Sequence, residues 1–89
     1  MPRISAFYGI VIWMYHDEIQ HLGRPHFHAT YGSDEASIDI DNLDVMAGGL
    51  PPRALRLVTE WARSHQAELH ENWQRARRHE SLAPIEPLR

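Results

Sequence analysis

The sequence contains no cysteine, which excludes disulfide cross-links, thiolate metal sites and thiol nucleophiles. It contains no lysine either, all nine basic residues being arginine, a bias that carries no functional information. Long apolar runs are missing: the longest, Ile10 to Tyr15, falls far short of the roughly 20 residues that span a bilayer, so a soluble chain with no membrane role is expected. There is no phosphate-cradling loop, because Gly48-Gly49-Leu50-Pro51 has neither the Walker lysine nor dinucleotide-binding spacing. Ser5, Ser33, Ser37, Ser64 and Ser81 sit in no nucleophile elbow, which leaves acyl transfer without support. Met1 to Ser5 lacks the apolar stretch and cleavage site of a secretory leader, and the cytoplasm is the expected compartment.

What is present is an ordinary globular composition, 43% apolar and 24% charged over 89 residues. One domain, residues 1–89, is expected; a chain this short buries only about 60 to 65% of its unfolded surface, leaving little room for a deep cleft. Charge is unevenly placed. Residues 1–50 hold two Arg against seven Asp and Glu, a net −5, and residues 51–89 hold seven Arg against five Glu, a net +2. Nucleic-acid binding is therefore not indicated, since phosphate recognition wants a concentrated basic face. Arg75, Arg77 and Arg78 cluster where the dipole of a helix favours positive charge at its C-terminus.

The pattern changes once, at Gly48-Gly49-Leu50-Pro51-Pro52, from alternation to helical periodicity. Residues 1–50 read as a three- to four-stranded antiparallel meander: Phe7 to Tyr15, His26 to Tyr31, Glu35 to Ile40 and a short strand around Asp44 to Ala47 after an Asn42-Leu43 turn. Gly32-Ser33-Asp34 makes the second and third strands a tight hairpin. Residues 51–80 read as one long helix whose apolar stripe runs Ala54, Val58, Trp61, His65, Leu69, Trp73, Ala76. Unbroken from Pro51 to His79, it would extend about 43 Å, so a bend near Ser64 or a protruding end is expected. Residues 81–89, with Pro84 and Pro87, read as an extended tail. The fold class is α+β, a sheet followed by and packed against the helix.

Chemistry concentrates in one place. His16, His21, His26 and His28 fall within thirteen residues that also hold Asp17 and Glu18. His26 and His28, one residue apart on a strand, project from the same face, a spacing by which a strand offers two nitrogens to zinc or manganese. Hairpin register can be argued from burial: Phe27, Ala29, Tyr31 and Ala36, Ile38, Ile40 face the core when Tyr31 lies opposite Ala36 or is shifted from it by two. The first of these puts His28 opposite Asp39 and His26 opposite Asp41. The candidate metal ligands are then His26, His28, His21 and Asp39, with Asp41 or Asp17 as base for bound water. Simple cross-strand pairing of the histidines with aspartates is the competing reading. Val11, Trp13 and Tyr15 alternate against Ile10, Ile12 and Met14, so one apolar face of this strand needs cover from outside the first core layer, and Trp13, Tyr15 and Trp73 are the candidate interface residues.

Ile4-Ser5-Ala6-Phe7-Tyr8-Gly9-Ile10-Val11-Ile12 with Met14-Tyr15, Pro25-His26-Phe27-His28-Ala29 with Tyr31, and Leu50-Pro51 leading to Trp61, His65, Leu69 and Asn72-Trp73 together resemble the bacterial family called domain of unknown function 4160. The resemblance runs from Ile4 to about Leu88. It implies a small stand-alone bacterial protein inside the cell and imports no mechanism. Members resemble toxin–antitoxin components in size and setting, which implies a small protein partner encoded nearby, or a homodimer. Two functions, not mutually exclusive, are expected: an interaction module of a toxin–antitoxin pair, from the resemblance, or a metal-dependent hydrolase, with RNA as a substrate, from the His/Asp cluster. No cofactor is required by the first; the second needs zinc or manganese.

Overall fold

Alternation of apolar and polar residues builds the first half into sheet, and the computed structural model, which describes residues 3–15 and 24–89, resolves five strands there. They are β1 (Arg3–Phe7), β2 (Ile10–Trp13), β3 (His26–Tyr31), β4 (Asp34–Asp39) and β5 (Val45–Gly48), all antiparallel neighbours in the order β1-β2-β3-β4-β5. The expected meander is right in kind and short in strand count. The segment read as a single strand from Phe7 is a hairpin: Tyr8 (φ 49°) and Gly9 (φ 81°) both take left-handed backbone, the signature of a two-residue type I′ turn. A tyrosine there is uncommon, so Tyr8-Gly9 does not announce a turn as Asn-Gly would. The Gly32-Ser33 turn, with Gly32 at φ 61°, and the short last strand after Leu43 (φ 63°) appear where expected.

Ile10, Ile12 and Met14 are buried, as are Phe27, Ala29, Ala36, Ile38 and Ile40, so the inward parity of the strands is as the pattern requires. The register differs by two from the preferred one. His26 pairs with Asp39, Phe27 with Ile38 and His28 with Ser37, while Tyr31 pairs with Asp34. A two-residue loop closes tightest on Tyr31 and Asp34, and a shift of two leaves every side chain on its own face.

The helical half breaks in two rather than forming one helix: α1 (Pro52–Ser64) and α2 (Gln66–Arg77) meet at His65, whose φ of −128° leaves the helical region one residue after the expected bend. Gln66 ties the new helix to the end of β4, its Nε2 donating to the carbonyls of Ile40 (2.8 Å) and Asp41 (3.0 Å). Trp61 of α1 packs on Phe7 and Phe27 with ring centroids 5.4 and 6.0 Å away, which places α1 on the Phe27 face of the sheet. His65, a member of the stripe, lies against Trp61 and meets Glu68 Oε1 at 2.5 Å.

The tail is extended and docked. Ile85 is buried and donates its N–H to the Ile4 carbonyl (2.8 Å), while the indole of Trp61 donates to the Glu86 carbonyl (2.7 Å). Asn72, fully buried on α2, donates to the Ala83 carbonyl and accepts from the Ala83 N–H, both at 2.8 Å. Asn72→Ala strips both partners from Ala83, so a loss of about 2 kcal/mol is expected, together with faster proteolysis after residue 80. Unfolding in urea and limited digestion check this; an unchanged midpoint would show that the clamp is idle. No helix among the described residues is long and apolar enough to cross a membrane.

Candidate functional site

His26 and His28 begin β3, and strand alternation turns both rings away from the Phe27 face. They remain together, with ring centroids 5.4 Å apart, and both are enclosed, at 1% and 8% exposure. Tyr15 stands edge-on to His28 at 4.4 Å, and Trp73 of α2 lies 5.1 Å from His26. Four rings thus run in a line from the end of β2, across the start of β3, to α2. Trp73, a candidate interface residue, is 4% exposed and forms part of this line. Sequence periodicity places Trp73 on the apolar stripe but cannot show that the break at His65 brings it to the His26 end of the sheet.

Each ring has a polar partner at Nδ1. His26 Nδ1 lies 2.7 Å from the Arg24 carbonyl, which only accepts, so Nδ1 is the donor. His28 Nδ1 lies 3.2 Å from Glu35 Oε2 and 3.3 Å from Ser37 Oγ, so it can donate to the carboxylate or accept from the hydroxyl. Glu35 escapes a reading that pairs residues in the other register. Its signal is parity alone, since Glu35, Ser37 and Asp39 share a strand face.

The carboxylates are placed differently from the sequence expectation. Asp39 is opposite His26, not His28, and is occupied locally: Oδ1 accepts the N–H of Asp41 (2.7 Å) and of Asn42 (3.2 Å), and Oδ2 accepts from Arg24. Burial penalises its charge, but the N–H groups of Asn42 and Asp41 and the Arg24 guanidinium outweigh that penalty and hold the carboxyl below its ordinary value. An aspartate bonding the backbone two and three residues on is an Asx-type turn, readable in principle from Asp39-Ile40-Asp41-Asn42. Asp41 does not lie opposite His26; it leaves the strand and meets His70 Nε2 of α2 at 2.7 Å. Asp17 and His21 lie outside the described residues. Among the described residues, no group of three or more histidine, aspartate and glutamate side chains is placed to hold a metal ion.

Trp13 and Val11 point from the same side of the sheet as His28 and are half-buried, Trp13 Nε1 donating to Thr30 Oγ1 across the ladder at 3.0 Å. Tyr15 is half-buried against His28.

A family model described as Domain of unknown function (DUF4160) matches residues 9–74. The chain belongs to this family. The DUF4160 match begins at the β1–β2 turn and ends just past Trp73, so it takes in the ring line, Glu35, Asp39 and both helix starts, and leaves β1 and the docked tail outside it. No curated protein and no solved structure matches the chain.

Proposed function

We propose that this DUF4160 chain is an interaction module that works in the cytoplasm with a second small protein, in the manner of a toxin–antitoxin pair. One observation carries the reading: α1 packs on the Phe27 face, while Val11 and Trp13 stand half-exposed on the other. Aromatic residues left partly open on a sheet face are common anchors of protein interfaces. Co-expression with the product of the adjacent gene, followed by size-exclusion chromatography with light scattering, tests it. A stable complex is expected, weakened at least 10-fold by Trp13→Glu, on the scale of an interface anchor. A strictly monomeric chain that recovers no complex removes this reading.

Hydrolysis at a bound zinc or manganese ion, with RNA as substrate, is the second reading. His26 and His28 support it by lying side by side. Asp39 and Asp41, engaged with Arg24 and His70, lend it no base in this arrangement. Metal-stimulated RNA cleavage lost in His26→Ala would support it, and absence of cleavage with either metal excludes it.

A further inference from the structure

We infer that the outer edge of β5 takes an extended, basic segment of a partner protein as a sixth strand of the sheet. An open sheet has two edges, and this one leaves them in different states. The β1 edge is met by the chain's own tail, since the Ile4 carbonyl accepts the N–H of Ile85. At the other edge, the Gly49 N–H donates to the Glu35 carbonyl at 3.0 Å and the Asp39 N–H to the Asp44 carbonyl at 2.9 Å. These bonds flank the pairs Ala36 with Gly48 and Ile38 with Val45, so antiparallel alternation turns the N–H and C=O of Gly48 and of Val45 away from β4. Both residues are exposed, and no strand lies beyond them among the described residues. Val45-Met46-Ala47-Gly48 also holds no lysine, arginine or proline of the kind that guards an edge against pairing.

Charge selects the occupant. Residues 25–50, which hold β3, β4, β5 and their turns, contain no arginine or lysine and five carboxylates, of which Asp34, Glu35 and Asp44 are exposed beside the two ends of the β5 ladder. A second copy pairing edge to edge would bring these like charges together, whereas a segment carrying Arg or Lys is attracted to them. The register shift between Ser37 and Ile38, with Met46 as the additional residue, keeps the regular run short and so fits a peptide-length segment. Main-chain hydrogen bonds supply the affinity of such strand addition, and side chains select the sequence. This surface goes beyond the Trp13 face, for β3 and β4 lie between β2 and β5, and either surface can fail without the other.

The test uses the full chain, labelled with nitrogen-15, and an end-capped hexapeptide that alternates Arg and Val. The peptide is expected to shift the amide resonances of Val45 and Gly48 and to slow their hydrogen exchange by about 10-fold. A Glu/Val peptide of the same length is expected to bind about 10-fold more weakly. The Arg/Val peptide N-methylated at every residue keeps the charge and loses the strand donors, and it is expected to leave both amides unprotected. Val45→Pro, which removes one outward donor at the first residue of the strand, is expected to weaken binding by about 10-fold. Val45 and Gly48 amides unmoved at millimolar peptide overturn the inference, as does equal binding of the N-methylated peptide. Amides already protected in a peptide-free dimer give the edge to a second copy and overturn the basic segment as its occupant. The resonance measurement needs no substitution, so it decides the question even where Val45→Pro fails to fold.

Discussion

Gly48→Ala is expected to destabilise the protein by about 3 kcal/mol, a fall in melting temperature of roughly 10 to 20 °C for a domain of this size. Gly48 closes β5 at φ +73°, where a side chain costs about 1–2 kcal/mol in backbone strain alone. Space makes it worse. A Cβ at this position would lie 2.1 Å from the Glu35 carbonyl oxygen and 3.3 Å from the Ala36 Cα, both backbone atoms of β4 that no rotamer change can move. The same carbonyl accepts the Gly49 N–H at 3.0 Å, so relieving the clash means parting β5 from β4 and losing that bond. Overpacking of this kind adds about 1–3 kcal/mol. Gly49→Ala is the control: nothing lies within 4 Å of its Cβ, and a change within about 1 kcal/mol is expected. Urea midpoints of the two variants decide the matter, and equal values for both would refute the close approach at Gly48.

Asp39→Ala is expected to cost about 2–4 kcal/mol near neutral pH. The substitution takes the acceptor from the N–H groups of Asp41 and Asn42 and removes the partner of Arg24. Hydrogen bonds to a charged group contribute about 1.5–3 kcal/mol each, discounted here because Asp41 and Asn42 are exposed and water can take over their N–H groups, and the half-exposed Arg24 adds little because solvent screens it. The pH dependence carries a definite sign. A carboxyl whose folded-state pKa is held below its unfolded value binds fewer protons folded than unfolded, so its contribution is fully present above the unfolded value and is lost as pH falls through the folded one. The gap between wild type and Asp39→Asn should therefore stay level from pH 7 to 5 and close progressively below about pH 4. Urea titrations along that range supply the measurement. A gap that widens on acidification would mean that Asp39 is not the stabilised anion described here.

These two positions also mark where sequence reading stops. Gly48-Gly49 is visible as a boundary between alternation and helical periodicity, but which glycine must remain glycine depends on the Glu35 carbonyl, thirteen residues back and on another strand. Asp39 is legible as an outward residue on a strand. That its carboxylate closes the turn after β4 depends on the register, and period-2 alternation is blind to shifts of two. The break at His65 is foreseeable from length alone. The Tyr8-Gly9 turn is not, because its first residue belongs to strands by propensity.

The sequence by itself determined the α+β class, the inward parity of Phe27 and Ile38, the outward pairing of His26 with His28, and the family. Those depend on periods of two and of 3.6 residues, which any stretch of chain carries locally, and on motifs written along the chain. Only the tertiary structure decided that Glu35 rather than Asp39 stands behind His28, that Asp41 goes to His70, and that Trp73 closes on His26. Each of these contacts joins separate elements, and its geometry is set by turn closure and by the helix break, quantities that no local pattern encodes.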